Sequence, residues 1–132
     1  MQVATINDID YIAPLLLAMY MEVDSVDTKC ELELFKQLTR ETLLSSIVIF
    51  DSRGFFIMKN ETPIVKKTTI WNGVSVYVKP EFRHSSALQD YYKYMFEHFQ
   101  GTIMGFTEVN SKHNKVLLKR HKLLGYVYGL NR

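Results

Sequence analysis

Apolar residues recur at spacings of three and four along the first part of the chain, at Ile9, Ile12, Ala13, Leu16, Met19, Tyr20 and Val23. This is the one-faced stripe of an amphipathic helix. Residues 2–6 ahead of it read as a short strand, and Asn7 is placed to cap the helix, with Asp8 and Asp10 supplying the charge that a helix N-terminus favours. Pro14 falls inside the stripe, where it lacks an amide donor and crowds the preceding turn, so a kink or break is expected there. A second helix is expected from Asp27 or Thr28 to Leu44, facing inward with Leu34, Phe35, Leu38 and Cys30, the last as a small core residue.

The period then changes from helical to strand-like. Ile47-Val48-Ile49-Phe50 is bounded by Asp51-Ser52-Arg53-Gly54, after which Phe55-Phe56-Ile57-Met58 begins again, which predicts a hairpin. Ile64 to Trp71 alternates imperfectly and runs into Asn72-Gly73, a pair suited to a type I′ turn, so a second hairpin is expected there. Val74, Val76 and Val78 alternate with Ser75, Tyr77 and Lys79 until Pro80 ends the strand. From Ser85 to Phe99 the set Leu88, Tyr91, Tyr92, Met95, Phe96 and Phe99 holds helical spacing, and Gly101 stops it. A strand from Thr102 to Thr107, a helix from Ser111 to Leu124 ending at Gly125, and a terminal strand Tyr126-Val127-Tyr128 complete the order β, α, α, β, β, β, α, β, α, β. The fold class expected is α/β (α+β), a mixed sheet with helices on both faces.

Composition narrows this only by exclusion. The chain has 132 residues, 47% hydrophobic, the length of one compact domain, so residues 1–132 are treated as a single unit. One cysteine excludes an internal disulfide framework and multi-cysteine zinc modules. Sixteen Lys and Arg against fourteen Asp and Glu leave a net charge of +2, which points to no strongly basic or acidic partner. No apolar run is long enough to span a bilayer, and the first residues lack a basic n-region and an uninterrupted apolar h-region, so a cytoplasmic location is expected.

The chemistry concentrates where the strand ending at Lys79 meets the helix beginning near Ser85. A helix N-terminus leaves about four backbone amides unpaired and carries roughly half a positive charge, so a loop of small residues there can wrap a pyrophosphate. Ser85 or Ser86 acting simply as a helix cap is the other reading of the same residues. His98 and His113 have no companion at metal-ligand spacing, so no metal is expected. Lys112, His113, Lys115, Lys119, Arg120, His121 and Lys122 form a basic face that reads as a solvated helix surface rather than a nucleic-acid contact.

Val78-Lys79-Pro80-Glu81-Phe82-Arg83-His84-Ser85-Ser86-Ala87 resembles motif A of the GNAT superfamily, the Gcn5-related N-acetyltransferases, in which a V-x-P-x-x-R lead enters a Q/R-x-x-G-x-G/A loop. Ala4 to Ile9 is similar to the A-T-x-x-D-I opening of such proteins, and Asn114 to Tyr126 to their N-x-x-A-x-x-L-Y-x-x-x-G-F closing segment. The resemblance implies a mostly antiparallel sheet of about six strands with about four helices, the usual seventh strand missing, and acetyl-CoA as co-substrate for transfer to an unidentified amine. It assigns Arg83, His84, Ser85, Ser86, Ala87 and Leu88 to the pyrophosphate, Val76, Tyr77 and Val78 to the pantetheine arm, and Asn114 to the cofactor as well. Ser86 and Leu88 stand where glycines are usual. His121 aligns with the Tyr that protonates the departing thiolate, with Tyr126 and Tyr128 as further candidate acids. Glu108 is the candidate base, or else a solvated loop carboxylate. The open sheet edge would accept a second copy or a partner chain. The same resemblance extends to short bacteriophage members, some of them virion components, so a catalytically degenerate structural or binding protein is the alternative.

Overall fold

The computed structural model describes residues 1–23, 31–62, 64–65 and 67–105. In chain order these form β1 (Gln2–Val3), α1 (Ile9–Val23), α2 (Glu31–Ser45), β2 (Ile47–Asp51), β3 (Gly54–Asn60), β4 (Ile70–Val78), α3 (Ala87–His98) and β5 (Thr102–Gly105). The strands lie in one sheet in the order β1-β2-β3-β4-β5, antiparallel from β1 through β4, with β5 parallel to β4. The expected last helix, the terminal strand and the residues beyond Gly105 fall outside the described residues.

Strand alternation divides the core into two layers. Val48, Phe50, Phe55, Ile57 and Tyr77 face α1 and α2, meeting Ile12, Ala13, Leu16 and Phe35. Ile49, Phe56 and Met58 project to the opposite face and meet Ala87, Tyr91, Tyr92 and Met95 of α3. Helices therefore cover both faces, as the interleaved order predicts. Burying a side chain such as Phe55, fully enclosed, contributes about 2 to 3 kcal/mol.

Several local expectations change. Thr5, not Asn7, starts the first helical segment: its hydroxyl accepts from the Asn7 amide at 3.3 Å and its amide donates to Asp8 Oδ2 at 2.7 Å, a reciprocal capping box on a 3-10 turn over Ile6–Asp8. The strand ahead is confined to Gln2–Val3. Helix α1 runs unbroken through Pro14, which sits on the exposed face with Asp10. On α2, Leu34 is 58% exposed while Phe35 is buried; Thr39 takes a core position, its hydroxyl donating to the Phe35 carbonyl at 2.7 Å. Cys30 is outside the described residues. Phe96 of α3, expected inside, is 43% exposed.

Asn72-Gly73 makes no turn. Both residues lie within β4, where the pairing with β3 shifts between Ile57↔Ser75 and Met58↔Gly73, leaving Val74 as an extra bulged residue, half exposed. The permissive glycine serves a bulge instead of a hairpin. Beyond the bulge the expected alternation holds: Tyr77 enters the α1 layer, while Val76 and Val78 pack beside the α3 layer.

The hairpin between β2 and β3 is as expected, and Gly54 is required there by close approach. A Cβ on Gly54 would overlap the Tyr77 carbonyl oxygen across the sheet. Gly54→Ala should therefore destabilise the protein by about 3 kcal/mol, read as a shift of the urea midpoint at unchanged slope.

Candidate functional site

Beyond Val78 the chain is held in a compact arch. The Lys79 amide donates to the Arg53 carbonyl at 2.8 Å, tying the end of β4 to the β2–β3 turn. Pro80 then opens a 3-10 turn over Pro80–Phe82, a position where its missing amide would have been unpaired anyway. The Ser85 amide donates to the Phe82 carbonyl at 3.0 Å, and the Ser85 hydroxyl accepts from the Ala87 amide at 3.2 Å. Ser86 is the N-cap residue of α3, yet its hydroxyl donates to Asp90 Oδ2 at 2.9 Å and caps no amide. Of the two serines proposed as caps, Ser85 supplies the capping oxygen. Among the described residues, the amides of His84, Ser86, Leu88 and Gln89 have no hydrogen-bond partner. They sit together at the positive end of a twelve-residue helix, the arrangement that attracts an anion.

A second layer neutralises the one carboxylate in that first turn. Arg53 Nη1 donates to Asp90 Oδ2 at 2.7 Å, while its Nη2 and Nε donate to Asp51 Oδ2 at 2.6 and 3.0 Å. The Tyr91 hydroxyl donates to Asp51 Oδ1 at 3.0 Å. Burial pushes the Asp51 carboxyl up, but the bonds from Arg53 and Tyr91 outweigh it and leave it below the usual range. The Arg53 guanidinium, followed by Ser86, likewise holds the Asp90 carboxyl down against a smaller opposing effect of burial. The Asp51 bond and then the Asp90 bond raise Arg53, and burial, with Asp51 second, raises the Tyr91 phenol, so both stay protonated.

On the α1 side, Arg83 leaves the arch and crosses to the last turn of α1. Its Nη2 lies 2.6 Å from both oxygens of Glu22, its Nε donates to the Val78 carbonyl at 2.9 Å, and its guanidinium carbon lies 5.8 Å from the centre of the Tyr77 ring. The Tyr77 hydroxyl donates to Glu22 Oε1 at 3.4 Å. Burial, then the Glu22 charge, raises the Tyr77 phenol, and the Glu22 bond raises Arg83. Lys79 Nζ lies 5.8 Å from the centre of the Tyr11 ring, beside the same arch.

The structure thus brings Val76, Tyr77, Val78, Arg83, His84, Ser85, Ser86, Ala87 and Leu88 together at one end of β4. Val76 and Val78 face away from Tyr77, so what the three share is a strand edge and not a side-chain surface. Ala87 is buried and Leu88 half-buried against the α3 layer, so these two contribute backbone to the arch. Glu108, Asn114, His121, Tyr126 and Tyr128, and the basic face around His121, lie outside the described residues. Sequence reasoning missed Glu22, Arg53, Asp51 and Asp90: Asp51 and Arg53 read only as turn residues, while Glu22 lies 61 positions from Arg83 and Arg53 lies 37 from Asp90. Among the described residues no group of His, Cys, Asp and Glu is placed to hold a metal ion, and no helix is long and apolar enough to cross a membrane.

No protein-family model and no curated protein matches the sequence. Solved structures do match, over nearly the whole chain. A probable acetyltransferase superposes with a TM-score of 0.71 at 20% identity, covering 100% of this chain and 99% of that one. A predicted acetyltransferase from Clostridium acetobutylicum, solved with acetyl-CoA, gives 0.60 at 12% identity over 98% of this chain and 94% of that one. AAC(6')-Iy in complex with the bisubstrate analogue CoA-S-monomethyl-acetylneamine gives 0.68 at 10% identity, over 99% and 95%. At these identities the likeness shows the fold.

Proposed function

We propose that this chain, whose fold is that of the GNAT acetyltransferases, works through residues 1–132 as one domain that transfers an acetyl group from acetyl-CoA to an amine. The observation that carries this reading is the arch after β4, where the unpaired amides of His84, Ser86, Leu88 and Gln89 lie together at the start of α3, while Arg53 neutralises Asp90. Those donors fit a pyrophosphate. Similar folds solved with acetyl-CoA and with a CoA bisubstrate analogue support the same ligand class.

When bound, acyl-CoA supplies a thioester that an amine attacks directly: the C–N bond forms, the C–S bond breaks, the nitrogen loses a proton and the sulfur gains one. The arch amides bind and orient the phosphates, and the edge shared by Val76, Tyr77 and Val78 aligns the pantetheine arm. Asn114 adds a further cofactor contact. Glu108 takes the proton from the amine, and His121, Tyr126 or Tyr128 gives one to the sulfur. The protein works in the cytoplasm, where acyl-CoA is supplied.

Calorimetric titration with acetyl-CoA tests this: saturable binding at one site in the micromolar range, about −8 kcal/mol, is expected. Absence of heat up to about 1 mM would remove the enzyme reading. One observation favours the second reading, a catalytically degenerate GNAT-fold protein used for binding or structure: Ser86 stands at a usual glycine position, and its hydroxyl is engaged by Asp90. Saturable binding without release of free CoA thiol when an amine is added would favour this second reading.

A further inference from the structure

Arg83 occupies a place built to receive a cation. Its guanidinium is held by both oxygens of the Glu22 carboxylate at 2.6 Å and lies 5.8 Å from the centre of the Tyr77 ring, whose hydroxyl also reaches Glu22 at 3.4 Å. A carboxylate beside an aromatic ring recognises positive charge by two independent effects, ion pairing and attraction to the ring quadrupole. Among the described residues, Arg83 is the one cation paired with Glu22. The pair is also accessible, its two side chains 43% and 41% exposed. Arg83 is at the same time a member of the anion-attracting arch, so two anions compete for it: Glu22 from α1, and a phosphate at the N-terminus of α3.

We infer that Glu22 and Tyr77 form a subsite for a positively charged group of the amine acceptor, and that Arg83 fills this subsite until a phosphate ester draws its guanidinium away. The inference rests on the acyl-CoA reading for the role of the bound cation as part of an acceptor and for the exchange; that Glu22 and Tyr77 hold a cation does not depend on it. The nitrogen that attacks a thioester must be neutral, so the group held here is a second cationic centre of the acceptor. The substrate class is therefore a diamine or an amine with another cationic substituent. Binding of the phosphate ester thereby uncovers the place the acceptor needs, which couples the two ligands.

Two measurements test this. In Arg83→Ala the subsite is empty, and titration with 1,4-diaminobutane should move the carboxyl carbon resonance of Glu22 saturably, while exposed carboxylates such as Glu41 and Glu97 respond weakly and without saturation. The double variant Glu22→Gln, Arg83→Ala should bind the diamine with no saturable phase by calorimetry. A Glu22 resonance that tracks Glu41 and Glu97 would overturn the subsite. In the otherwise unchanged protein, Glu22→Gln releases Arg83 from its competing partner, so acetyl-CoA should bind about two- to fivefold more tightly, the range expected for an exposed ion pair. Equal or weaker binding by this variant would overturn the exchange. Absence of acetyl-CoA binding by the unsubstituted protein would instead remove the acyl-CoA reading and the exchange with it, leaving the subsite to stand or fall on the diamine titration. Glu22 is exposed, and an unchanged thermal midpoint confirms that each variant is folded.

Discussion

Ser86→Asp should abolish useful acetyl-CoA binding while leaving the protein folded. Ser86 is the N-cap of α3, its amide belongs to the unpaired set, and its side chain lies at the mouth of the arch. The Ser86 side chain caps no amide, and Ser85 keeps supplying the capping oxygen, so the cap of α3 is retained. The new carboxylate would meet Asp90 one turn away, a repulsion of a few tenths of a kcal/mol, and would present a negative charge where a pyrophosphate has to sit. The loss of affinity should be about a hundredfold, roughly 2.7 kcal/mol, with the thermal midpoint nearly unchanged. Calorimetry reads the first quantity and thermal denaturation the second. Unchanged affinity would mean that the phosphates bind away from the arch.

Arg53→Met should weaken both the fold and the arch. Arg53 ties the β2–β3 turn to α3 through Asp51 and Asp90, and the Asp51 side chain is only 14% exposed. Removing the cation leaves a largely enclosed carboxylate with Tyr91 as its remaining side-chain donor, at a cost of about 2 kcal/mol. It also leaves Asp90 uncompensated beside the phosphate position, so acetyl-CoA affinity should fall too. The pH dependence identifies the cause. Asp51 and Asp90 both titrate below the usual 3.8 in the folded protein, so in acid the unfolded chain takes up their protons first. Their stabilisation is present above about pH 4 and is lost as the pH falls through 3.8 and below. In Arg53→Met this acid-side slope should flatten, as measured by urea midpoints from pH 6 down to about pH 3. A slope equal to that of the unsubstituted protein would show that Arg53 does not hold these carboxyls down.

What the sequence revealed is what local spacing determines. Periodicity is a local property, so the stripe from Ile9, the hairpin about Ser52-Arg53 and the helix carrying Tyr91, Tyr92 and Met95 were all legible. So was the strand-to-helix junction of the site, because Pro80 and the small residues Ser85, Ser86 and Ala87 mark it within ten positions. Asn72-Gly73 misled because a dipeptide that tolerates unusual backbone angles suits a bulge as well as a turn, and only the pairing with Ile57 and Met58 distinguishes them. Leu34 misled because helical spacing places it near the stripe, while the partner face takes Phe35 and Thr39. The charge networks were invisible for another reason. Glu22 finds Arg83 and Arg53 finds Asp90 only after the sheet is assembled, and nothing in the neighbourhood of either residue announces its partner.

The central claim is that the arch after β4 is where this chain binds acyl-CoA. Amide resonance mapping during titration with desulfo-CoA tests it most directly, because the inert analogue reports binding without turnover. The account predicts that the amides of His84, Ser86, Leu88 and Gln89 move most and saturate together. Saturable shifts centred elsewhere in the molecule, or none at these four amides, would contradict it.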